Sequence, residues 1–300
     1  MIVGPTASGK SALAVGLARR FGGEIVSADS RQVYKGLDIG TGKIMKREMR
    51  GVPHHLLDVA NPKRQYSVAR YVRDARRAIA AIARRGHLPI VCGGTGHYID
   101  ALLGVIQIPE VPPDHALRKR LEKKSPPELF AILKKFDPRR AKTIDPHNPR
   151  RLIRAVEIAY ADNANRKKRR LTQIGKSQTI KEYDVLWIGL KLSLEKLRHK
   201  ITIRLFARIS EYNMLGEAAR LHREGLSWKR MDALGLEYRY LAKHLRGIMT
   251  KKEMTEKLET EIWRYAKRQM QWFKRNKEIH WVASASLQHI TPLVRSFIRS

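Results

Sequence analysis

Eight residues near the N-terminus have the types and spacing that hold phosphate. Gly4-Pro5-Thr6-Ala7-Ser8-Gly9-Lys10-Ser11 fits the pattern G-x-x-x-x-G-K-[ST] at every fixed position. The apolar pair Ile2-Val3 precedes it, and the run from Ala12 to Ala18 reads as a helix, so the order is strand, loop, helix. Two glycines let the backbone curl until successive N–H groups point inward, at the positive end of a helix dipole. Lys10 adds a full charge, and Ser11 offers a hydroxyl to a magnesium ion. A glycine turn before an ordinary helix would leave that order unexplained. The implied ligand carries a di- or triphosphate, and the loop alone does not say what is done to it.

A second cluster, Asp29-Ser30-Arg31-Gln32, follows the short apolar stretch from Glu24 to Ala28. The carboxyl end of a strand is where ligands sit in open α/β sheets. Asp29 there either caps the next turn of chain or faces the ligand, and position alone leaves both readings open. The next apolar strand, Leu88 to Cys92, runs into Gly93-Gly94-Thr95-Gly96. A nucleotide hydrolase usually ends such a strand with an aspartate that helps hold magnesium. Glycines and a threonine in that place count against an NTP-driven motor or switch. The adjacent His54 and His55 diverge as neighbours must, with no evident carboxylate partner, so packing and hydrogen bonding are expected of them rather than a metal.

These residues need a sheet to position them. Helix 12–20 should end at Gly22-Gly23, and residues 33–66 read as a long structured loop. The stretch from Ser67 to Arg85 is amphipathic, with Val68, Val72, Ala75, Ile79, Ile82 and Ala83 opposite Arg70, Arg73, Arg77 and Arg84. Pro109, Pro112 and Pro113 mark a boundary, followed by helical segments near 114–124, 127–136 and 149–160. The basic run from Asn165 to Arg170 reads as a solvated loop that could grip a phosphate backbone. A strand at 185–190 returns to the sheet, long helices fill 193 to about 275, and 279–282 is a last strand. The expected fold is therefore α/β: a P-loop NTPase-like parallel sheet core with helices on both faces, built from 1–108 and 183–300. An all-helical basic insertion occupies 109–182.

Composition bounds the rest. The 300 residues, 43% hydrophobic, suffice for a folded core. One cysteine, Cys92, excludes an internal disulfide framework and suits a reducing, cytoplasmic setting. No apolar run approaches the ~18–20 residues of a membrane span, and a phosphate loop at residue 4 leaves no room for a signal peptide. No membrane partner and a monomer are the expectations. The 61 Lys and Arg against 28 Asp and Glu give +33, with the excess densest in 109–182. Such a field attracts polyanions, above all nucleic acid.

In order along the chain, these segments resemble the tRNA dimethylallyltransferases (tRNA isopentenyltransferases). Gly4 to Ser11 is similar to that family's GPTASGKS, and Asp29 to Lys43 to its DSxQxYxGxDIGTxK. Pro53 to Asp58 resembles PHHLLD, Gly93 to Tyr98 resembles GGTxxY, and Asn148 to Ala155 resembles NPxRLxRA. Gly235 to Arg239 and Ala266 to Phe273 are similar to its two C-terminal signatures. Two departures stand out: only three residues precede Gly4, which predicts a weakened first strand, and the run 166–170 replaces a compact turn. The zinc-finger extension of eukaryotic relatives has no counterpart, which points to the bacterial type.

The resemblance implies that the exocyclic N6 amine of the adenine just 3′ of the anticodon attacks dimethylallyl diphosphate and that diphosphate leaves. The loop with Lys10 and a Ser11-bound Mg²⁺ would hold the diphosphate, Asp29 would take the amine proton, and Thr95 would hydrogen-bond near the bridging oxygen. By the same match the tRNA contacts are Asp29, Ser30, Arg31, Gln32, Thr95, Leu117, Arg150, Arg151, Leu152, Ile153, Arg154, Arg239, Lys267, Arg268 and Gln269. Trp272 and Phe273 read as core residues. The rivals are an isopentenyltransferase acting on free adenylate and a P-loop kinase or NTPase with an RNA-binding insert.

Overall fold

The computed structural model describes residues 1–109, 111–169 and 183–299. The elements run in order β1 (Ile2–Val3), α1 (Lys10–Phe21), β2 (Gly23–Ser27), α2 (Lys46–Met49), β3 (His54–His55), α3 (Val68–Arg84), β4 (Leu88–Gly93) and α4 (Gly96–Leu102). Then come α5 (His115–Leu121), α6 (Pro126–Phe136), α7 (Pro138–Ala141), α8 (Pro149–Arg169), β5 (Ile188–Leu190), α9 (Leu194–Ser210) and α10 (Met214–Arg223). The chain closes with α11 (Trp228–Leu234), α12 (Leu236–Leu245), α13 (Lys251–Phe273), β6 (His280–Val282) and α14 (Leu287–Arg299). It divides into two compact units, Met1–Ile106 with Lys181–Ser300, and Gln107–Ile180.

In the first unit six strands form one sheet in the order β3-β2-β4-β1-β5-β6, every pair parallel. The crossover from β1 to β2 and the one from β3 to β4 step in opposite directions along the sheet. Parallel crossovers are right-handed, so α1 and α3 cover opposite faces. The short β1 was expected to weaken an edge. It lies instead in the middle of the sheet, Ile2 and Val3 paired with Cys92 and Gly93 on one side and Ile188 and Gly189 on the other. Two neighbours supply the ladder that its own length does not.

The local reasons for the elements are legible. Ser67 caps α3 by accepting the Arg70 amide at 3.2 Å, and Tyr71, Val72, Ala75, Ile79 and Ile82 face inward. Ala83, expected on that apolar face, is exposed, and Tyr71 takes a buried place beside it, stacked on Tyr98 at 4.2 Å. The C-terminal α14 was not anticipated. Its Ile290 and Val294 join the cluster of Leu13, Val15 and Leu17 from α1. Glu24 in β2 is buried, and it gathers His55 of β3 (2.6 Å), Arg85 at the end of α3 (2.8 Å) and His87 before β4 (2.7 Å). The two histidines of 54–55 are thus used in hydrogen bonding, with His54 Nδ1 2.8 Å from the Val52 carbonyl.

The second unit is helical. Leu117, Leu121, Leu129, Leu133, Leu152 and Val156 form its core, and the buried Glu157 ties Arg118 (2.8 Å), Arg154 and the Asp114 amide together. Residues 165–169 continue α8 rather than forming a loop, and Arg170 lies outside the described residues.

The Glu24 cluster has a measurable consequence. Its hydrogen bonds hold the carboxyl near 2, below the usual 4.5, against the opposing effect of burial. A lowered folded value means stability that is present above about 4.5 and lost as pH falls toward 2. Glu24→Gln should therefore lower the urea midpoint at pH 6, and the gap from the parent should close as pH drops from 4.5 to 2. An equal gap at pH 6 and pH 3 would contradict the clustered role.

Candidate active site

Because β1 and β4 are paired, the loops that leave their carboxyl ends start side by side, one at Gly4 and the other at Gly94. Gln269 of α13 fastens the two. Its Oε1 accepts the Thr6 amide at 2.8 Å and its Nε2 donates to the Gly94 carbonyl at 2.8 Å. A Cβ at 94 would lie 2.1 Å from Gln269 Nε2, so a side chain there would push the amide out of its place. The site therefore depends on a helix whose glutamine lies 175 residues beyond Gly94 and 263 beyond Thr6.

Within the phosphate-type loop, Gly9 is the N-cap of α1 with φ +97°, and no side chain caps the helix. Its first amides are left for a ligand. Lys10 Nζ folds back on the Pro5 carbonyl at 2.6 Å, and burial pulls its ammonium down from 10.5 to about 8. Ser8 Oγ is buried with no hydrogen-bond partner among the described residues, and Ser11 lies in the first turn of α1. Thr6 to Ala12, Asp29 to Gln32, Gly93, Gly94, Arg268 and Gln269 all line one cavity of about 690 Å³.

Asp29 does both of the things that its position allowed. Oδ1 accepts the amides of Arg31 (2.8 Å) and Gln32 (3.2 Å), which caps the turn and fixes the carboxylate, while Oδ2 takes neither and the residue lines the cavity. Thr95 begins α4 as its N-cap without a capping bond from its side chain. Its Oγ1 accepts the Ser30 amide at 3.0 Å. Thr95 does not itself line the cavity, whereas Tyr265 does. The bond from Ser30 uses the Thr95 oxygen as an acceptor, and a hydroxyl keeps its O–H for a donor role.

The far wall was not foreseen. Residues 36–43 are held by Glu217 of α10, whose carboxylate accepts the amides of Asp38 (3.0 Å), Ile39 (2.7 Å) and Gly40 (2.9 Å) and the Tyr238 hydroxyl (2.7 Å). Lys43, itself almost fully buried, bridges Asp38 at 2.6 Å and Asp58 at 2.5 Å. Arg204 of α9 donates to the Gly42 carbonyl at 2.6 Å, and burial followed by the charge of Arg208 lowers its guanidinium from the usual range. Lys200 and Arg204 line the cavity with Glu48, Glu237 and Tyr265. The signal was present: Lys200, Arg204 and Arg208 recur every four residues, beside the buried Leu197, Ile201 and Leu205. Cys92 also lines the cavity, with its thiol pushed up to about 11 by burial, so it is no thiolate nucleophile there.

The expected nucleic-acid contacts separate into two groups. Arg31 and Arg268 line the cavity, and Arg239 and Lys267 do not. Arg239 pairs with Asp232 at 3.0 Å, and Lys267 lies over the Trp263 ring at 5.6 Å. Arg150 and Arg151 are exposed in the first turn of α8, where Asn148 accepts the Arg151 amide at 3.2 Å. Four of the expected residues have their side chains engaged within the protein. Leu117 and Leu152 are buried in the core of the second unit, and Arg154 is engaged by Glu157 and the Val111 carbonyl. Gln269 is spent on Thr6 and Gly94. Ile153 packs partly buried against that same core, Trp272 is partly buried with its indole on Asp100 at 3.0 Å, and Phe273 is buried. No helix among the described residues is long and apolar enough to cross a membrane.

With the geometry in place, known proteins can be set beside it. The family model described as IPP transferase matches residues 32–276. The tRNA dimethylallyltransferase 1 of Geotalea uraniireducens is 41% identical over 286 residues, covering 94% of this chain and 91% of that relative. The tRNA dimethylallyltransferase of Anoxybacillus flavithermus is 41% identical over 283 residues, covering 94% and 88%. Among solved structures, the tRNA isopentenylpyrophosphate transferase of Bacillus halodurans superposes with a TM-score of 0.71 at 34% identity, covering 99% of this chain and 94% of that one. A eukaryotic dimethylallyltransferase acting on tRNA gives a TM-score of 0.78 at 26% identity, over 96% of this chain and 74% of its own. The chain belongs to the IPP transferase family, that of the tRNA dimethylallyltransferases.

Proposed function

We propose that this protein transfers a dimethylallyl group from dimethylallyl diphosphate to the exocyclic N6 amine of the adenine 3′-adjacent to the anticodon of tRNA, with release of diphosphate. The observation that carries the reading is the meeting, in one cavity, of the phosphate-type loop and a capped carboxylate, Asp29. Such a pair suits a reaction in which one group leaves as an anion and another loses a proton.

The steps follow from the residues. The uncapped amides of α1, Lys10 and the partnerless Ser8 hydroxyl receive the diphosphate and stabilise the charge that grows on it. Lys200 and Arg204 add positive charge from the opposite wall. The N6 lone pair forms the new bond to the allylic carbon as the carbon–oxygen bond breaks, and its electron pair leaves with diphosphate. Asp29, oriented by the Arg31 and Gln32 amides, takes the N6 proton. Thr95 holds the Ser30 amide beside this point. Ser11, in the first turn of α1 beside the loop, would offer its hydroxyl as a ligand to a magnesium ion bound with the diphosphate. When bound it supplies further stabilisation of the leaving group.

An adenine within a stacked loop must be turned out of the stack, at a cost of a few kcal/mol. Basic contacts offset that cost: Arg31 and Arg268 at the cavity, and Arg150 and Arg151 in the second unit as part of a tRNA-binding insertion. The net charge of +33 favours such a polymer over free adenylate. Transfer to AMP with none to unmodified tRNA would overturn that choice. A monomer acting in the cytoplasm completes the proposal.

Three outcomes test it. Asp29→Ala should keep tRNA binding and lose transfer by at least ~10²-fold, and an unchanged rate would remove Asp29 from the chemistry. Lys10 near 8 in the free site is raised by a bound diphosphate, so donor affinity should be level below pH 7 and fall as pH rises past 8. Calorimetry in two buffers should then show uptake of about one proton at pH 9 for the parent and none for Lys10→Arg. Equal uptake in both would exclude Lys10 as the coupled group. Finally, tRNA affinity should drop steeply with salt, and a flat dependence would count against phosphate contacts.

A further inference from the structure

We propose that the ring of Tyr265 stabilises the positive charge that develops on the dimethylallyl group as its bond to diphosphate breaks, an inference that rests on the transfer reaction proposed above. Among the described residues that line the cavity, Tyr265 is the one aromatic. It lies one turn before Gln269 on the same face of α13, and Gln269 is fastened to Thr6 and Gly94. The ring is thereby brought beside the phosphate-type loop by a helix that cannot slide. Thr95 holds the Ser30 amide next to Asp29. The ring shares its cavity with Asp29 and the phosphate-type loop, where N6, the allylic carbon and the leaving oxygen meet in the proposed reaction.

The chemistry calls for such a group. As the carbon–oxygen bond breaks its electron pair goes to diphosphate, and while bond formation to N6 lags behind cleavage the allyl unit carries partial positive charge over its two terminal carbons. Lys10, Arg31, Lys200, Arg204 and Arg268 suit the diphosphate and repel that charge. A carboxylate facing the allylic carbon would attract it but would also compete with N6 as a nucleophile. The neutral face of an aromatic ring attracts a cation without bonding to it. Arg268 stands 6.0 Å from the Tyr265 centroid, at the outer limit of such an interaction, so most of the ring's capacity is left for a closer cation.

The test measures steady-state transfer from dimethylallyl diphosphate to an unmodified anticodon stem-loop RNA. Transfer by the parent establishes the reaction, and its failure would strike the reaction rather than the role of Tyr265. Given transfer, Tyr265→Phe keeps the ring and should retain more of the parent kcat than Tyr265→Leu. Tyr265→Leu should lose roughly 2- to 30-fold in kcat with both KM values unchanged, the range expected of one cation–ring contact. Phenylalanines carrying one, two or three ring fluorines at 265 keep the shape and weaken the ring face. They should lower kcat stepwise, and they decide the matter even if the leucine variant does not fold. A flat fluorine series, or a loss confined to the KM for RNA, would overturn the proposal, the latter by making the ring a platform for the base.

Discussion

The structure turns on one side-chain amide. Gln269 accepts from the Thr6 backbone with one end and donates to the Gly94 carbonyl with the other, both at 2.8 Å. It does so from a buried position, so neither bond has water as an easy substitute. Two loops that the sheet only brings near each other are thereby locked in register. The helix that carries Gln269 also supplies Tyr265 and Arg268 to the cavity. Long-range contacts of this kind explain why the C-terminal helices are required for a site whose chemistry starts at residue 4.

A second layer of buried carboxylates does comparable work without touching the cavity. Glu217 fills the turn at 38–40 with its own negative charge, which makes that glycine-rich stretch a strut rather than a second phosphate cradle. Glu24 closes the far edge of the sheet with two histidines and an arginine. In a chain of +33 each of these acids is placed where several donors converge. Positive charge is correspondingly left over at the cavity, where Lys10, Arg31, Lys200, Arg204 and Arg268 meet.

Much of this was readable from the residues, for identifiable reasons. The loop at 4–11 has a local motif, and α3 has a periodic face with a serine cap, so both were placed within a residue or two. Asp29 could be placed but not assigned, because capping and ligand contact use the same carboxylate, and the structure shows the cap formed by one oxygen alone. The bond that Thr95 Oγ1 accepts from Ser30, 65 residues away, is a tertiary contact that no local pattern encodes. Leu117 and Leu152 were carried over as contacts by resemblance, although their side chains answer to the core of the second unit. The wall formed by Lys200 and Arg204 follows from tertiary packing that no local pattern encodes, apart from the four-residue recurrence along α9.

A loop of this pattern ordinarily suggests a nucleotide, yet the strand beside it ends in Cys92-Gly93-Gly94 rather than in an acid. The account holds that the loop grips a departing diphosphate and that carbon, not phosphorus, is attacked. One experiment separates these directly. Dimethylallyl diphosphate labelled in both the allylic carbon and the outer phosphorus is incubated with unmodified tRNA, alongside a parallel incubation with γ-labelled ATP. The account predicts carbon label on the adenine beside the anticodon, phosphorus label in free diphosphate, and an untouched ATP. Phosphorus label on the RNA, or release of the ATP γ-phosphate without any prenyl donor, would contradict it.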